Sequence, residues 1–166
     1  MSHTPRKNRK DAPYFQPQNE DPAPLVLRVT RRVVFSDADP MGVLWHGRYP
    51  AFFEMAAAEL HRQCGLGYKD FHLARIAAPI VRLQADYLVP VFLDEEVTIQ
   101  ATLHWSEAAR LNTEYAIIKP DGVTAAKGYT IQLFVCSKTL GMLIASPEIW
   151  TTCRRRWMAG EFAFLQ

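Results

Sequence analysis

The stretch RYPAFFEMAAAELHRQCGLG (48–67) decides the architecture. Tyr49, Phe53, Ala56, Ala57, Leu60 and Cys64 recur at the i, i+4, i+7, i+8 spacing of one helix face. The alanines favour helix and permit close approach of other chain segments. Pro50 is tolerated only in a first turn, which puts the helix start near Arg48. Gly65 and Gly67 end it. Because the helix is apolar over most of its girth, the pattern predicts an element wrapped by other structure rather than laid on a surface.

The sequence on either side supplies the wrapping. Upstream, LVLRVTRRVVF (25–35) alternates, with Leu25, Leu27, Val29, Val33 and Phe35 on one side and Arg28, Thr30 and Arg32 on the other; Arg31 interrupts the apolar side once. Downstream the alternation is nearly continuous. Val81, Leu83, Ala85 and Tyr87 interleave with Arg82, Gln84 and Asp86, and Val97 to Trp105 interleave with Glu96 to His104. Leu111, Thr113, Tyr115 and Ile117 continue it, Pro120-Asp121-Gly122 marks a turn, and a further strand runs to about Val135. Strands joined by short turns without intervening helices predict an antiparallel sheet. MLIA (142–145) reads as a last short strand, and Ser146 and Pro147 as N-cap and first residue of a final helix bearing Ile149, Trp150, Cys153 and Trp157. The fold class is α+β: a curved antiparallel sheet around one long helix.

Domain organisation follows from composition. Residues 1–24 are polar and proline-rich and predict a disordered N-terminal arm, residues 25–158 the folded domain, and residues 159–166 a C-terminal tail. With 166 residues, 49% hydrophobic and 22% charged, the chain can bury one core without staples. No apolar run reaches the ~18 residues a membrane helix needs, and the N-terminus lacks the apolar segment of a secretory signal. Three widely spaced cysteines point to a reducing compartment, so the expected location is cytoplasmic. The net charge of +2 includes the four cations Arg6, Lys7, Arg9 and Lys10, so the remainder carries −2. A near-neutral body argues against nucleic-acid binding.

Several chemistries are missing from the sequence. It has no G-x-S-x-G, no P-loop and no H-E-x-x-H, and Cys64 has no base beside it in sequence. What remains is SDADPMGVLWHG (36–47), leading into the helix. Asp39 precedes Pro40 and is held extended, and Gly42 permits a positive φ. His46 and Gly47 lie where a helix N-terminus offers free N–H groups, which polarise a carbonyl oxygen while a carboxylate supplies a base or nucleophile. The other reading of Asp37 and Asp39 is an Asx turn or cap. Asp37, Asp39 and His46 do not make a convincing metal set, and no metal or other cofactor is expected.

These residues resemble the signature of the hotdog-fold acyl-CoA thioesterases of the 4-hydroxybenzoyl-CoA thioesterase and YbgC-like type. In that family a strand is followed by D-x-D-x-x-G, an aromatic or histidine, and an aromatic-rich helix with an acidic residue. Here these are Asp37-Ala38-Asp39-Pro40-Met41-Gly42, Trp45-His46, Tyr49 and Phe52-Phe53-Glu54. ADYLVPVFLDEEVTI (85–99) is similar to the family's later strand pair, and the likeness spans about residues 25–145. The resemblance implies hydrolysis of an acyl-CoA thioester to acid and CoA. Asp39 would be nucleophile or general base, and the amide of His46 or Gly47 would polarise the carbonyl. Gly47, Tyr49 and Glu54 would contribute to substrate binding. It also implies active sites at a subunit interface, hence a homodimer or homotetramer. An acyl-carrier-protein thioesterase and a non-catalytic acyl-CoA-binding module are the alternatives.

Overall fold

The computed structural model describes residues 13–16, 18 and 20–165. Strand β1 (Leu25–Arg32) is followed by the long helix α1 (Tyr49–Gln63), a short helix α2 (Tyr68–Ala74) and a two-residue strand β2 (Ile76–Ala77). Four long strands follow: β3 (Ile80–Tyr87), β4 (Glu96–His104), β5 (Arg110–Ile118) and β6 (Thr124–Leu133), of which β4, β5 and β6 form a meander. A short β7 (Val135–Cys136) pairs with β2, and helix α3 (Glu148–Met158) comes last among the helices. The main sheet has the order β1-β4-β5-β6-β3, antiparallel throughout.

Alternation in the strands builds the core on one face of the sheet. Val97, Ile99, Ala101 and Leu103 of β4, and Leu111, Tyr115 and Ile117 of β5, are buried against Phe52, Phe53, Ala56, Ala57 and Leu60 of α1. At 20–33 cal/mol per Å² of apolar surface, each such large side chain contributes roughly 2–3 kcal/mol. The sheet and α1 meet most closely at Gly128 of β6. A Cβ there would lie 2.6 Å from the Phe53 ring and 2.4 Å from the Gln84 carbonyl oxygen. Phe53 in turn stacks on Tyr115, centroids 4.6 Å apart and planes within 8°.

The predicted helix is present with Arg48 as N-cap and Pro50 in the first turn. Gly65 follows its end at φ +75°, the left-handed position where a side chain would be strained. Gly67 has a different role from the one expected: it is the N-cap of α2, a helix too short to announce itself by periodicity. MLIA forms no strand, because Met142 makes only an isolated bridge with Val135. Helix α3 starts at Glu148, one residue later than expected, with the extended Pro147 as N-cap. The Ser146 hydroxyl instead reaches the Glu107 carbonyl at 3.4 Å. Phe35 was expected on the buried face of β1, but the chain leaves the strand after Arg32 and turns through a 3₁₀ turn, which leaves Phe35 85% exposed.

Two boundary regions pack on the domain. Residues 1–12 of the N-terminal arm lie outside the described residues. Further along, the Tyr14 hydroxyl donates to Asp86, the Phe15 ring lies 5.3 Å from that of His104, and the Trp157 indole donates to the Ala23 carbonyl at 3.0 Å. At the other end, Phe162 and Leu165 are buried in the core.

Candidate active site

The segment between β1 and α1 is a tightly tied loop. Asp37 is buried, its carboxylate accepting from Arg31 Nη2 at 2.9 Å and lying 3.6 Å from Arg48 Nε. Arg31, the one interruption of the apolar side of β1, is explained by this pair, and its guanidinium also sits 4.6 Å from the Phe52 ring centroid. Asp39 follows at the loop tip. Its Oδ1 accepts from the Met41 and Val43 N–H groups at 2.8 and 3.1 Å, and its own N–H donates to the Val43 carbonyl. The chain reverses at Gly42, φ +75°. The carboxylate is thus fixed by an Asx-type turn through Oδ1.

The turn delivers the chain to the start of α1. The Trp45 N–H donates to the Asp37 carbonyl at 2.9 Å, and His46–Arg48 form a 3₁₀ turn that runs into the helix. Among the described residues neither the His46 nor the Gly47 N–H has a hydrogen-bond acceptor. The Trp45 ring covers Gly47 so closely that a Cβ there would lie 2.5 Å from it. The Tyr87 hydroxyl donates to the His46 carbonyl at 3.1 Å and ties the end of β3 to this turn. Tyr49 is buried edge-on to Tyr87, with centroids 4.8 Å apart; burial, then the neighbouring Tyr87, raises its phenol pKa.

Along α1 from this point runs a cleft of about 550 Å³. Pro50, Glu54, Ala57, Ala58 and His61 face it from the helix, and Ile80 and Leu83 of β3 border it. Glu54 accepts from the Tyr68 hydroxyl of α2 at 2.8 Å, and this bond, ahead of burial, raises the Tyr68 pKa. Asp39, His46, Gly47 and Tyr49 do not line the cleft; Pro50 is its lining residue next to them in sequence. The structure therefore gathers His46, Gly47 and Tyr49 at the helix start, with Asp39 in the turn before it and Glu54 one turn along. Tyr68, His61 and Tyr115 join the region although no motif marked them, and Tyr87 joins it from the stretch ADYLVPVFLDEEVTI; for His61 the signal was its place four residues beyond Ala57 on the same helix face.

Among the described residues no group of three or more His, Cys, Asp or Glu side chains could hold a metal ion, and no helix is long and apolar enough to cross a membrane.

A long helix packed against a five-stranded antiparallel sheet of order β1-β4-β5-β6-β3 is a hotdog fold. The chain belongs to the Thioesterase-like superfamily, whose family model matches residues 33–152, and is a thioester hydrolase. It is 31% identical over 72 residues to the acyl-CoA thioester hydrolase YbgC of Escherichia coli O6:H1, a span of 43% of this chain and 54% of YbgC. Its fold is also that of the DHNA-CoA thioesterase of Staphylococcus aureus, with TM-score 0.70 and 22% identity over 86% of this chain and 95% of that one. A second S. aureus protein, solved in complex with CoA, superposes with TM-score 0.73 at 17% identity, over 82% of this chain and 86% of its own.

Proposed function

We propose that the protein hydrolyses acyl-CoA thioesters, with Asp39 as general base or nucleophile. One observation carries this reading: the carboxylate is immobilised in the turn that feeds a helix start whose His46 and Gly47 amides have no acceptor among the described residues. YbgC and the DHNA-CoA thioesterase act on CoA thioesters by their names, and the CoA complex of the second S. aureus protein is a further precedent.

In the general-base route, Asp39 takes a proton from water as the water oxygen adds to the thioester carbonyl carbon. The carbonyl π electrons move to oxygen, where the His46 or Gly47 N–H and the positive helix end stabilise them. Collapse re-forms the carbonyl, breaks the C–S bond and leaves the electron pair on sulfur. A thiol of pKa ~8.5 departs without strong acid help, and the proton held by Asp39 returns to it or to solvent. In the nucleophilic route Asp39 attacks the carbonyl itself, the CoA thiolate leaves, and water cleaves the resulting anhydride. The cleft receives the acyl group in either case. Neither route calls on a cofactor.

The exposed edge strand β3 supports assembly as a homodimer or homotetramer. Ile80, Val81, Leu83 and Tyr87 are all more than a third exposed along it, and an unpaired apolar edge is a template for pairing. The three free thiols fit a reducing, cytoplasmic setting.

The test is release of CoA thiol from a panel of short aliphatic, long aliphatic and aryl-CoA thioesters. Hydrolysis of at least one well above the buffer rate is expected. A flat panel, alongside turnover of the same acyl groups on acyl-carrier protein, would move the assignment to that carrier; no turnover on either would overturn it.

A further inference from the structure

The inner wall of the cleft is not uniformly apolar. Three of the side chains that line it are polar and at least nine-tenths buried: His61, Tyr115 and Thr130. They make two contacts: His61 Nε2 lies 3.5 Å from Thr113 Oγ1, and the Tyr115 hydroxyl lies 2.9 Å from Thr130 Oγ1. Burial holds the imidazole pKa down at about 4 and pushes the Tyr115 phenol up to about 12, so both are neutral at pH 7 and each has a proton to donate and a lone pair to accept. The His61 contact with Thr113 is at the outer limit of a hydrogen bond. A buried imidazole left so weakly partnered is costly, and a polar group entering the cleft would relieve that cost.

Position along α1 sets the kind of group. Phe53, which stacks on Tyr115, is six residues from Gly47, and His61 is fourteen residues from it. At 1.5 Å per residue these lie about 9 and 21 Å from the helix start. An extended chain covers about 1.2 Å per bond. A single aromatic ring attached to the thioester carbonyl stops short of His61; an aliphatic chain reaches the level of Tyr115 after about 8 bonds and that of His61 after about 17. Ala57 and Ala58, small residues facing the cleft, leave room for such a chain.

We infer that the cleft selects aliphatic acyl groups bearing a hydroxyl or oxo substituent roughly 8 to 17 carbons from the thioester, with Tyr115 reading it at the near end of that range and His61 at the far end. This rests on the acyl-CoA reading and on the cleft as the acyl site. A site built to hydrogen-bond a substrate group discriminates strongly against the analogue lacking it, because its own polar atoms are then left unpaired.

The experiment compares hexadecanoyl-CoA with 16-hydroxyhexadecanoyl-CoA, whose hydroxyl comes within hydrogen-bond reach of His61. The wild-type protein is expected to show kcat/KM at least tenfold higher for the hydroxylated thioester. In His61→Leu that ratio should fall towards unity, while His61→Gln retains part of it; Tyr115→Phe, which removes one oxygen atom, should do the same to the ratio for 10-hydroxydecanoyl-CoA over decanoyl-CoA. Binding of the two free acids, measured by calorimetry, is read in parallel. Hydrolysis of both thioesters at equal efficiency, with equal binding of the acids, overturns the inference and leaves the thioesterase assignment standing. Preferential binding of the hydroxy acid, lost in the variants, with no hydrolysis of either thioester, supports the inference about the cleft and contradicts the assignment of activity. A wild-type preference that both Tyr115→Phe and His61→Leu retain would also overturn it.

Discussion

Arg31 leaves the apolar face of β1 to meet the buried carboxylate of Asp37 at 2.9 Å. This pair separates the two aspartates of the DAD motif. Asp37 is a structural anion held under the loop by Arg31 and Arg48, whereas Asp39 stands in the turn above it with Oδ1 engaged by backbone amides.

Asp37→Asn should therefore destabilise the fold more than it slows chemistry. It leaves the two guanidinium groups without their anion, but the Arg31 and Arg48 side chains are 34% and 43% exposed, so water offsets part of the loss. A loss of about 2 kcal/mol is expected. For a chain of this size that lowers Tm by roughly 4–8 °C. Thermal melts of the variant check this, and an unchanged Tm would show that the pair contributes nothing net.

His61 predicts an acid sensitivity. Its folded pKa, about 4, lies below the unfolded value of 6.5, so between those pH values the unfolded chain binds more protons. Stability from this group is intact above pH 6.5 and declines as pH falls towards 4, by about 3 kcal/mol in total. Urea midpoints at pH 7, 5.5 and 4.5 should fall more steeply for the wild type than for His61→Gln. Parallel curves would mean that the imidazole is protonated within the fold.

Gly128→Ala should be poorly tolerated. Its Cβ would meet both the Gln84 backbone and the Phe53 ring, so strand and helix must move apart. A cost of about 2 kcal/mol or more is expected, of the size seen for overpacked cores. A chemical denaturation curve for the variant measures it.

The edge strand predicts association. Light scattering should report a mass at least about twice the 18.9 kDa of the chain. Val81→Lys, which places a charge on the exposed edge, should shift the population towards the single-chain mass. A wild-type protein that stays at the single-chain mass at micromolar concentration would contradict the edge-pairing reading.

Much of the fold was legible because α1 and the long strands repeat their periods over enough residues to be read. The wrapped helix, its Arg48 start and the strand alternation of β4 and β5 follow directly from apolar spacing. Elements set by tertiary contacts were not legible. Helix α2 spans only 7 residues, β2 and β7 two each, and MLIA is apolar without a partner strand to pair it. The facing of β3 was legible as alternation but not its exposure, since an edge strand and a central one share the same pattern. At the site, the loop motif and helix start were visible in sequence. The contacts of His61 with Thr113 and of Tyr115 with Thr130 were not, because they join α1 to β5 and β5 to β6 across 52 and 15 residues of sequence.

The most direct test of the account is kcat for Asp39→Asn beside Asp37→Asn, on the best substrate of the acyl-CoA panel and at a temperature where both are folded. Asparagine keeps the side-chain oxygen that accepts from Met41 and Val43, so the turn should survive while the basic and nucleophilic carboxylate is lost. The account predicts that Asp39→Asn lowers kcat by about 10²-fold or more with little change in substrate binding, and that folded Asp37→Asn loses far less. Retention of more than about a third of wild-type kcat in Asp39→Asn would contradict the central claim, most sharply if folded Asp37→Asn were the inactive one.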